Sequence, residues 1–135
     1  MRKKMIFAAV LLALLAVLAA CETESGIADS IAGQDAEFRV SAAELFAEYE
    51  SNESVASEKY KGKVIIVTGV ISKIYRAFLY TPYVDLEAGV RCHFSDTEDP
   101  VMLTLSEGQT VSMKGRGDRM LSLISGVELR GCTVE

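Results

Sequence analysis

The feature that most constrains the fold is a long β-branched stretch, Lys63–Tyr75, with a glycine, Gly69, near its middle. It exceeds the usual strand length of about 5–6 residues. A strand this long usually belongs to two sheets, and glycine allows a sharp bend between them. The residues that alternate onto one face are Ile65, Val67, Gly69 and Ile71. Because Ile74 is one step out of phase, we expect a β-bulge near residues 72–73.

The first twenty residues have the pattern of an export signal. A basic head is followed by an unbroken apolar run of 13 residues, Ile6 to Leu18, shorter than the roughly 20 residues of a membrane-spanning helix. The run ends in Leu18-Ala19-Ala20-Cys21, which resembles the bacterial lipoprotein signal. The resemblance implies cleavage before Cys21, attachment of acyl chains to it, and a location in the cell envelope. An ordinary secretory leader is the alternative.

The residues after Cys21 are acidic and contain few large apolar side chains. Residues 22–59 contain ten Asp and Glu against two Lys and Arg, whereas residues 60–135 contain nine of each. We therefore expect a signal peptide over 1–20, a lipidated cysteine with a flexible acidic linker over 21–40, and a folded domain over 41–135. In Gram-negative lipoproteins, Asp after the cysteine favours retention in the inner membrane. With Glu22 there, the resemblance implies the outer membrane, facing the periplasm, if the envelope is Gram-negative.

Local patterns in the folded domain predict two short helices and then a mostly β structure. Ser41-Ala42-Ala43-Glu44 is a capping box, and Asn52 suits the start of a second helix. The expected apolar faces are Leu45, Phe46 and Tyr49 on the first helix and Val55, Ala56 and Tyr60 on the second. Strands are expected at 63–75, 78–86, 90–94, 110–115 and 127–134, with a long excursion over 115–125. Five strands in this order indicate an OB barrel preceded by one or two helices.

The order of these motifs resembles the tRNA-anticodon-like OB-fold family, which is found in bacterial exported proteins and lipoproteins. The residues that carry the resemblance are Leu45, Tyr49, Ala56, Lys59-Tyr60-Lys61-Gly62-Lys63, Val67-Thr68-Gly69-Val70, Ile74, Cys92, Phe94, Gly108-Gln109, Val111, Gly115, Leu129 and Cys132. They span about residues 41–134. The resemblance implies the fold and little about activity, since OB barrels host many unrelated functions.

Two cysteines, Cys92 and Cys132, remain in the folded domain. In an OB barrel the third and fifth strands are neighbours, and an exported protein meets oxidising conditions, so we predict a disulfide between them. Two buried free thiols are the alternative. Cys92 and His93 point to opposite faces of a strand, which disfavours a shared metal ion. We expect no metal and no cofactor.

The sequence contains no recognisable catalytic constellation. His93 is the only histidine, and neither a nucleophile elbow nor a Gly-rich phosphate loop occurs. We interpret His93 as a surface residue and Arg116-Gly117-Asp118 as a turn. The chain is therefore expected to be a non-enzymatic binding module, with an enzyme of unrecognised type as an alternative.

The usual OB ligand face is formed by the second and third strands and the loops after the first and fourth. The candidate ligand-binding residues there are Tyr75, Arg76, Phe78, Tyr80, Tyr83, Arg116 and Arg119. Aromatic and arginine side chains together suit single-stranded nucleic acid, but binding through phosphates relies on a net basic field, which this domain lacks. We therefore expect an envelope protein or peptide as partner, besides the membrane that holds the anchor. A nucleic-acid-binding OB protein is the alternative.

Overall fold

The computed structural model describes residues 31–76, 79–95, 100–121 and 126–135. The signal peptide, the lipidation site Cys21, the first half of the predicted linker and Phe78 lie outside these ranges. The elements in chain order are strand β1 (Phe38–Ser41), helices α1 (Ala42–Ser51) and α2 (Glu53–Tyr60), strands β2 (Val64–Tyr75), β3 (Tyr83–Leu86) and β4 (Val90–His93), a 3₁₀-helix (Pro100–Thr104), and strands β5 (Thr110–Leu121) and β6 (Gly126–Val134).

Strand β2 closes the barrel because its two halves pair with different neighbours. Residues 64–70 run antiparallel to β5, and residues 71–75 run antiparallel to β3. Strand β3 pairs with β4, β4 runs parallel to β6, and β6 returns to β5. The result is a closed five-stranded OB barrel, which confirms the predicted fold class.

The predicted irregularity of β2 is present. The register with β3 shifts between Ile71 and Lys73, where the out-of-phase apolar pattern placed a bulge. At Gly69, an added Cβ would lie 3.1 Å from the Cβ of Ala42 and 3.3 Å from that of Leu86. The missing side chain therefore lets the start of α1 pack closely against the strand.

Strand β1 was not indicated by the sequence pattern, which placed these residues at the end of the linker. It runs parallel to residues 65–68 of β2. The amide of Glu37, just before it, donates to the carbonyl of Val64 at 2.8 Å. A strand of only four residues has too little alternation to be distinguished from an extended linker. The chain thus joins the barrel beside the first residue of β2.

Both helices begin at the predicted caps. The Ser41 hydroxyl accepts from the Glu44 amide at 3.1 Å, and the Glu44 carboxylate accepts from the Ser41 amide at 2.9 Å. The side chain of Asn52 accepts from the amide of Val55 at 3.3 Å and so caps α2. In the described ranges, no helix is long and apolar enough to cross a bilayer.

The inward faces of the helices complete the barrel core. The buried helical residues of this core are Ala42, Leu45, Tyr49, Ala56 and Tyr60, and Phe46 packs against them partly buried. The prediction that Val55 belongs to the apolar face of α2 is wrong, because its side chain is 59% exposed. Val55 is rotated by about 100° from the buried Ala56 that follows it.

Strand β5 is longer than predicted and contains the tripeptide at residues 116–118. The predictions of a turn there and of a long excursion from residue 115 are wrong, since the strand continues to Leu121, paired with β6. An added Cβ at Gly117 would lie 2.3 Å from the carbonyl oxygen of Tyr60. Glycine is therefore needed where the end of α2 meets the strand backbone.

Candidate functional site

A band of aromatic and charged side chains crosses the outer face of the barrel over β2, β3, β4, β6 and β5. Alternation along the strands creates it. On β3 the buried positions are Val84 and Leu86, and on β4 they are Val90 and Cys92. The residues between them, Tyr83 and Asp85 on β3 and Arg91 and His93 on β4, therefore project from the outer face. His93 points outward as predicted, but its side chain is only 15% exposed, so the interpretation as a simple surface residue is wrong.

The aromatic part of the band is centred on Tyr83. Its ring stacks on that of Tyr75, its partner on β2, with ring centres 4.8 Å apart. The guanidinium carbon of Arg91 lies 3.9 Å from the Tyr83 ring centre. Because Tyr75 belongs to β2 and Arg91 to β4, which pair with opposite edges of β3, the two side chains approach the Tyr83 ring from opposite sides. His93 meets the same ring edge to face, with centres 6.0 Å apart.

Beside this stack is an open hollow of about 400 Å³, which we call the tyrosine groove. Its lining residues are Tyr75, Tyr80, Thr81, Tyr83 and His93. Tyr80 is 68% exposed, whereas the rings of Tyr75 and Tyr83 are partly buried. The structure therefore brings three of the candidate ligand residues to one open hollow.

The charged part of the band consists of ion pairs. Arg91 forms two hydrogen bonds to Asp85, at 2.7 and 2.9 Å, and these hold the pKa of Arg91 above its usual value. Glu128 on β6 is only 4% exposed. Its two carboxylate oxygens lie 3.0 Å from Nε2 of His93 and 3.4 Å from Nε of Arg119. A carboxylate removed from water in this way needs such partners.

A third carboxylate extends the network along β5. Asp118 accepts from Nε of Arg130 at 2.7 Å and lies 4.0 Å from Nε of Arg119. The carboxylates of Asp85, Asp118 and Glu128 are thus matched by the guanidinium groups of Arg91, Arg119 and Arg130. The three arginines therefore neutralise the three carboxylates of the band.

The remaining predicted ligand residues are not all in this band. Arg119 is part of it, through Glu128. Arg76 donates to the carbonyl of Met102 in the 3₁₀-helix, next to the groove residue Tyr75. Arg116 instead donates to the carbonyl of Gly62 at 3.0 Å, after the end of α2. The predicted residue Phe78 lies outside the described residues.

Six members of the band are absent from the ligand residues predicted from the sequence: Asp85, Arg91, His93, Asp118, Glu128 and Arg130. Period-two alternation outward from Tyr83 could have identified Asp85, and the same rule applied to β4 could have paired Arg91 with it. Glu128 has no such signal. It is flanked by buried Val127 and Leu129, and only the pairing of β6 with β4 brings it to His93.

Beneath the band, Cys92 and Cys132 are neighbouring free thiols buried in the core. Burial raises the pKa of the Cys132 thiol well above its ordinary value, and a hydrogen bond with Cys92 adds to this. Such thiols are poor nucleophiles. The disulfide between them stays a prediction. Among the described residues, no three or more His, Cys, Asp or Glu side chains are arranged to hold a metal ion.

Comparison with known proteins finds a matching family and a similar solved structure. A model of the tRNA_anti-like family matches residues 1–133. The structure is similar to that of a protein from Klebsiella pneumoniae subsp. pneumoniae described as a candidate nucleic acid-binding lipoprotein, with a TM-score of 0.58 and 21% sequence identity over 79% of this chain and 96% of that one. At this identity the likeness shows the fold alone. None of the curated proteins compared with the sequence matches it.

Proposed function

Because this chain belongs to the tRNA_anti-like family, we propose that it is a lipid-anchored OB-fold binding module of the bacterial cell envelope. The observation that carries the proposal is the outer band. Glu128 lies on the outside of the barrel but is only 4% exposed, and the open groove beside it contains three tyrosines. This combination is unusual on a protein surface. Tyrosine and arginine are enriched where proteins bind partners. We assign ligand binding to this band.

The proposed anchor is Cys21. Its support is the basic head, the apolar run and the Leu18-Ala19-Ala20-Cys21 motif, together with the fold shared with a protein described as a lipoprotein. Two or more acyl chains hold a protein stably at a membrane. Residues 22–30, as a flexible chain, would span roughly 15–18 Å between the lipid and Ile31, which is fully buried. In a Gram-negative envelope the module would face the periplasm from the outer membrane.

The proposed role is non-catalytic. The described nucleophiles that could form covalent intermediates include Cys92 and Cys132, and both are buried beneath the band. His93 is held against Glu128, and the carboxylates of the band are paired with arginines. Catalytic groups need access to a reacting atom, whereas groups paired in this way define a fixed binding surface.

Lipid labelling tests the anchor. Cells that express the chain are grown with radioactive palmitate, and the protein should incorporate label and sediment with membranes. Cys21→Ser should abolish both. The matched controls Cys92→Ser and Cys132→Ser should keep the label, because those thiols lie inside the barrel. Wild-type protein that stays unlabelled in a strain whose other lipoproteins are labelled would refute the anchor.

A second candidate function is binding of single-stranded nucleic acid. It is favoured by the description of the Klebsiella protein and by the positions of Arg76 and Lys73, whose ammonium nitrogen lies 5.9 Å from the Tyr75 ring centre. Against it, both faces of the Tyr83 ring are covered, so that ring offers no free platform for a base. A labelled 15-mer oligonucleotide would test it. Real binding should fall steeply with salt and be lost when Arg76, Arg116 and Arg119 are replaced together.

A further inference from the structure

We propose that the tyrosine groove binds an extended, uncharged, proline-containing segment of a partner protein in the aqueous compartment. The inference rests on the proposed function only in taking the band as a ligand surface, and it deepens that function by naming the ligand class. Three properties of the groove lead to it: its charge balance, the orientation of its rings, and its position relative to the point where the chain joins the barrel.

The charge balance favours an uncharged ligand. Glu128 already has two partners, the His93 ring and the guanidinium of Arg119, and Asp85 is bonded to Arg91. A charged ligand group would have to compete with these fixed pairs at short range. An uncharged peptide can occupy the groove and leave every pair intact.

The ring orientation favours a peptide over a nucleobase or a sugar. Flat ligands stack on open aromatic faces, but Tyr83 is sandwiched between Tyr75 and Arg91. Rings that stand side by side present edges and the spaces between them. Proline-rich segments dock into aromatic-lined grooves of this kind, and their polyproline II backbone has free carbonyls that need donors. The hydroxyls of Tyr75, Tyr80 and Tyr83 are three such donors.

The position of the groove argues against the anchoring bilayer as its occupant. The chain joins the barrel where the Glu37 amide bonds to Val64, at the first residue of β2. The groove begins at Tyr75, the last residue of the same strand. Eleven residues of strand separate these points, a contour of roughly 35 Å. The chain therefore enters the barrel at one end of β2, and the groove opens at the other.

The tyrosines themselves provide the readout. The chain contains five tyrosines and no tryptophan. Three line the groove, and the other two, Tyr49 and Tyr60, are buried between the helices and the barrel. The full chain, purified from membranes in detergent and labelled with ¹³C-tyrosine, is titrated with an uncharged polyproline decapeptide. We expect saturable NMR shifts of Tyr75, Tyr80 and Tyr83, with Tyr49 and Tyr60 unmoved.

Variants give the size of the effect. Tyr80→Ala should weaken binding at least ~10-fold, as expected for a central aromatic contact, and its high exposure lets the fold tolerate it. Tyr80→Phe should weaken binding about threefold, through the lost hydroxyl alone. Val55→Ala, an exposed apolar residue on α2, is the matched control and should leave affinity unchanged.

Several outcomes would overturn the proposal. A glycine–serine decapeptide that binds as tightly as polyproline would show that proline is not recognised. An oligonucleotide, a chitin tetrasaccharide or phosphatidylethanolamine vesicles that shift the groove tyrosines while polyproline does not would assign the groove to another ligand class. These results are independent of palmitate labelling, so failure of the groove assignment is distinguishable from failure of the anchor.

Discussion

The two sides of the barrel use the same residue type for different purposes. Under the helices, Tyr49 and Tyr60 are at most 2% exposed and stack with ring centres 6.2 Å apart. On the outer band, Tyr75, Tyr80 and Tyr83 line an open groove. The helices shield Tyr49 and Tyr60 from solvent, whereas Tyr80 is 68% exposed and Tyr75 and Tyr83 are partly exposed. Tyrosine stabilises the fold in the first setting and is available to a ligand in the second.

The largest expected effect on stability comes from replacing one tyrosine on each side of the barrel with alanine. Tyr60 is fully buried, and its hydroxyl donates to Glu48 at 2.9 Å. Tyr60→Ala should lower the free energy of unfolding by about 5 kcal/mol, because a cavity and a lost hydrogen bond add. Tyr80→Ala should change it by less than about 0.5 kcal/mol. Urea denaturation followed by circular dichroism measures both, and similar losses in the two variants would break the contrast.

The second test concerns the strands beneath the open side. No described helix covers the outer band, so a covalent link between β4 and β6 would brace the strands that carry it. We expect Cys92 and Cys132 to be joined in exported protein. Closing a loop of 40 residues should stabilise the domain by about 4 kcal/mol in the chain-entropy model.

The disulfide is checked by mass spectrometry of unreduced protein and by denaturation with and without reductant. Both thiols alkylated without reduction would show that there is no bond. A Cys92→Ala/Cys132→Ala protein is the control, and its stability should not respond to reductant. The comparison also separates the loss of the bond from the loss of two buried side chains.

The two sides also differ in how far the sequence predicts them. The capping box at Ser41 and the cap at Asn52 are local signals, and both start helices as predicted. The double pairing of β2 followed from its length, its glycine and its phase slip. The outer band depends on contacts between distant strands. Glu128 and His93 are 35 residues apart, and a single sequence contains no signal that joins them.

The errors have the same cause. Gly117 suggested a turn and Gly115 the start of an excursion, but both serve close packing. An added Cβ would lie 2.8 Å from Sγ of Cys132 at Gly115 and 2.3 Å from the Tyr60 carbonyl oxygen at Gly117. Glycine in a strand signals either a bend or a close neighbour, and only the fold decides which. Strand β1 forms by pairing with the edge of β2, so only the fold identifies its residues as a strand.

The third test compares the two buried tyrosine hydroxyls of the helical side, whose removal should change the free energy of unfolding in opposite directions. The hydroxyl of Tyr49 is buried and has no hydrogen-bond partner among the described residues, whereas that of Tyr60 bonds to Glu48. Tyr49→Phe should raise the free energy of unfolding by about 1 kcal/mol, because an unsatisfied polar group leaves the core. Tyr60→Phe should lower it by a similar amount. Changes of the same sign in both variants would contradict this difference between the two hydroxyls.

The smallest expected effect is a pH dependence that belongs to the helical side. The hydrogen bond from Lys59 lowers the pKa of Glu48 below its ordinary value of 4.5. The unfolded chain therefore binds this proton more tightly, so the contribution of Glu48 to stability is complete above the unfolded pKa and is lost as the pH falls through the folded one. Because the pair is partly exposed, we expect less than about 1 kcal/mol.

Denaturation midpoints measured between about pH 6 and 3 check the size and sign of this loss. Glu48→Gln should flatten the acid limb, and Glu58→Gln, an exposed carboxylate on α2, is the matched control. If the acid limb of Glu48→Gln is the same as that of the wild type, the ion pair of Glu48 with Lys59 does not cause this pH dependence. Binding in the tyrosine groove should be equal in both variants, since neither carboxylate lines it. A shared change in affinity and stability would mean that the two sides of the barrel are coupled.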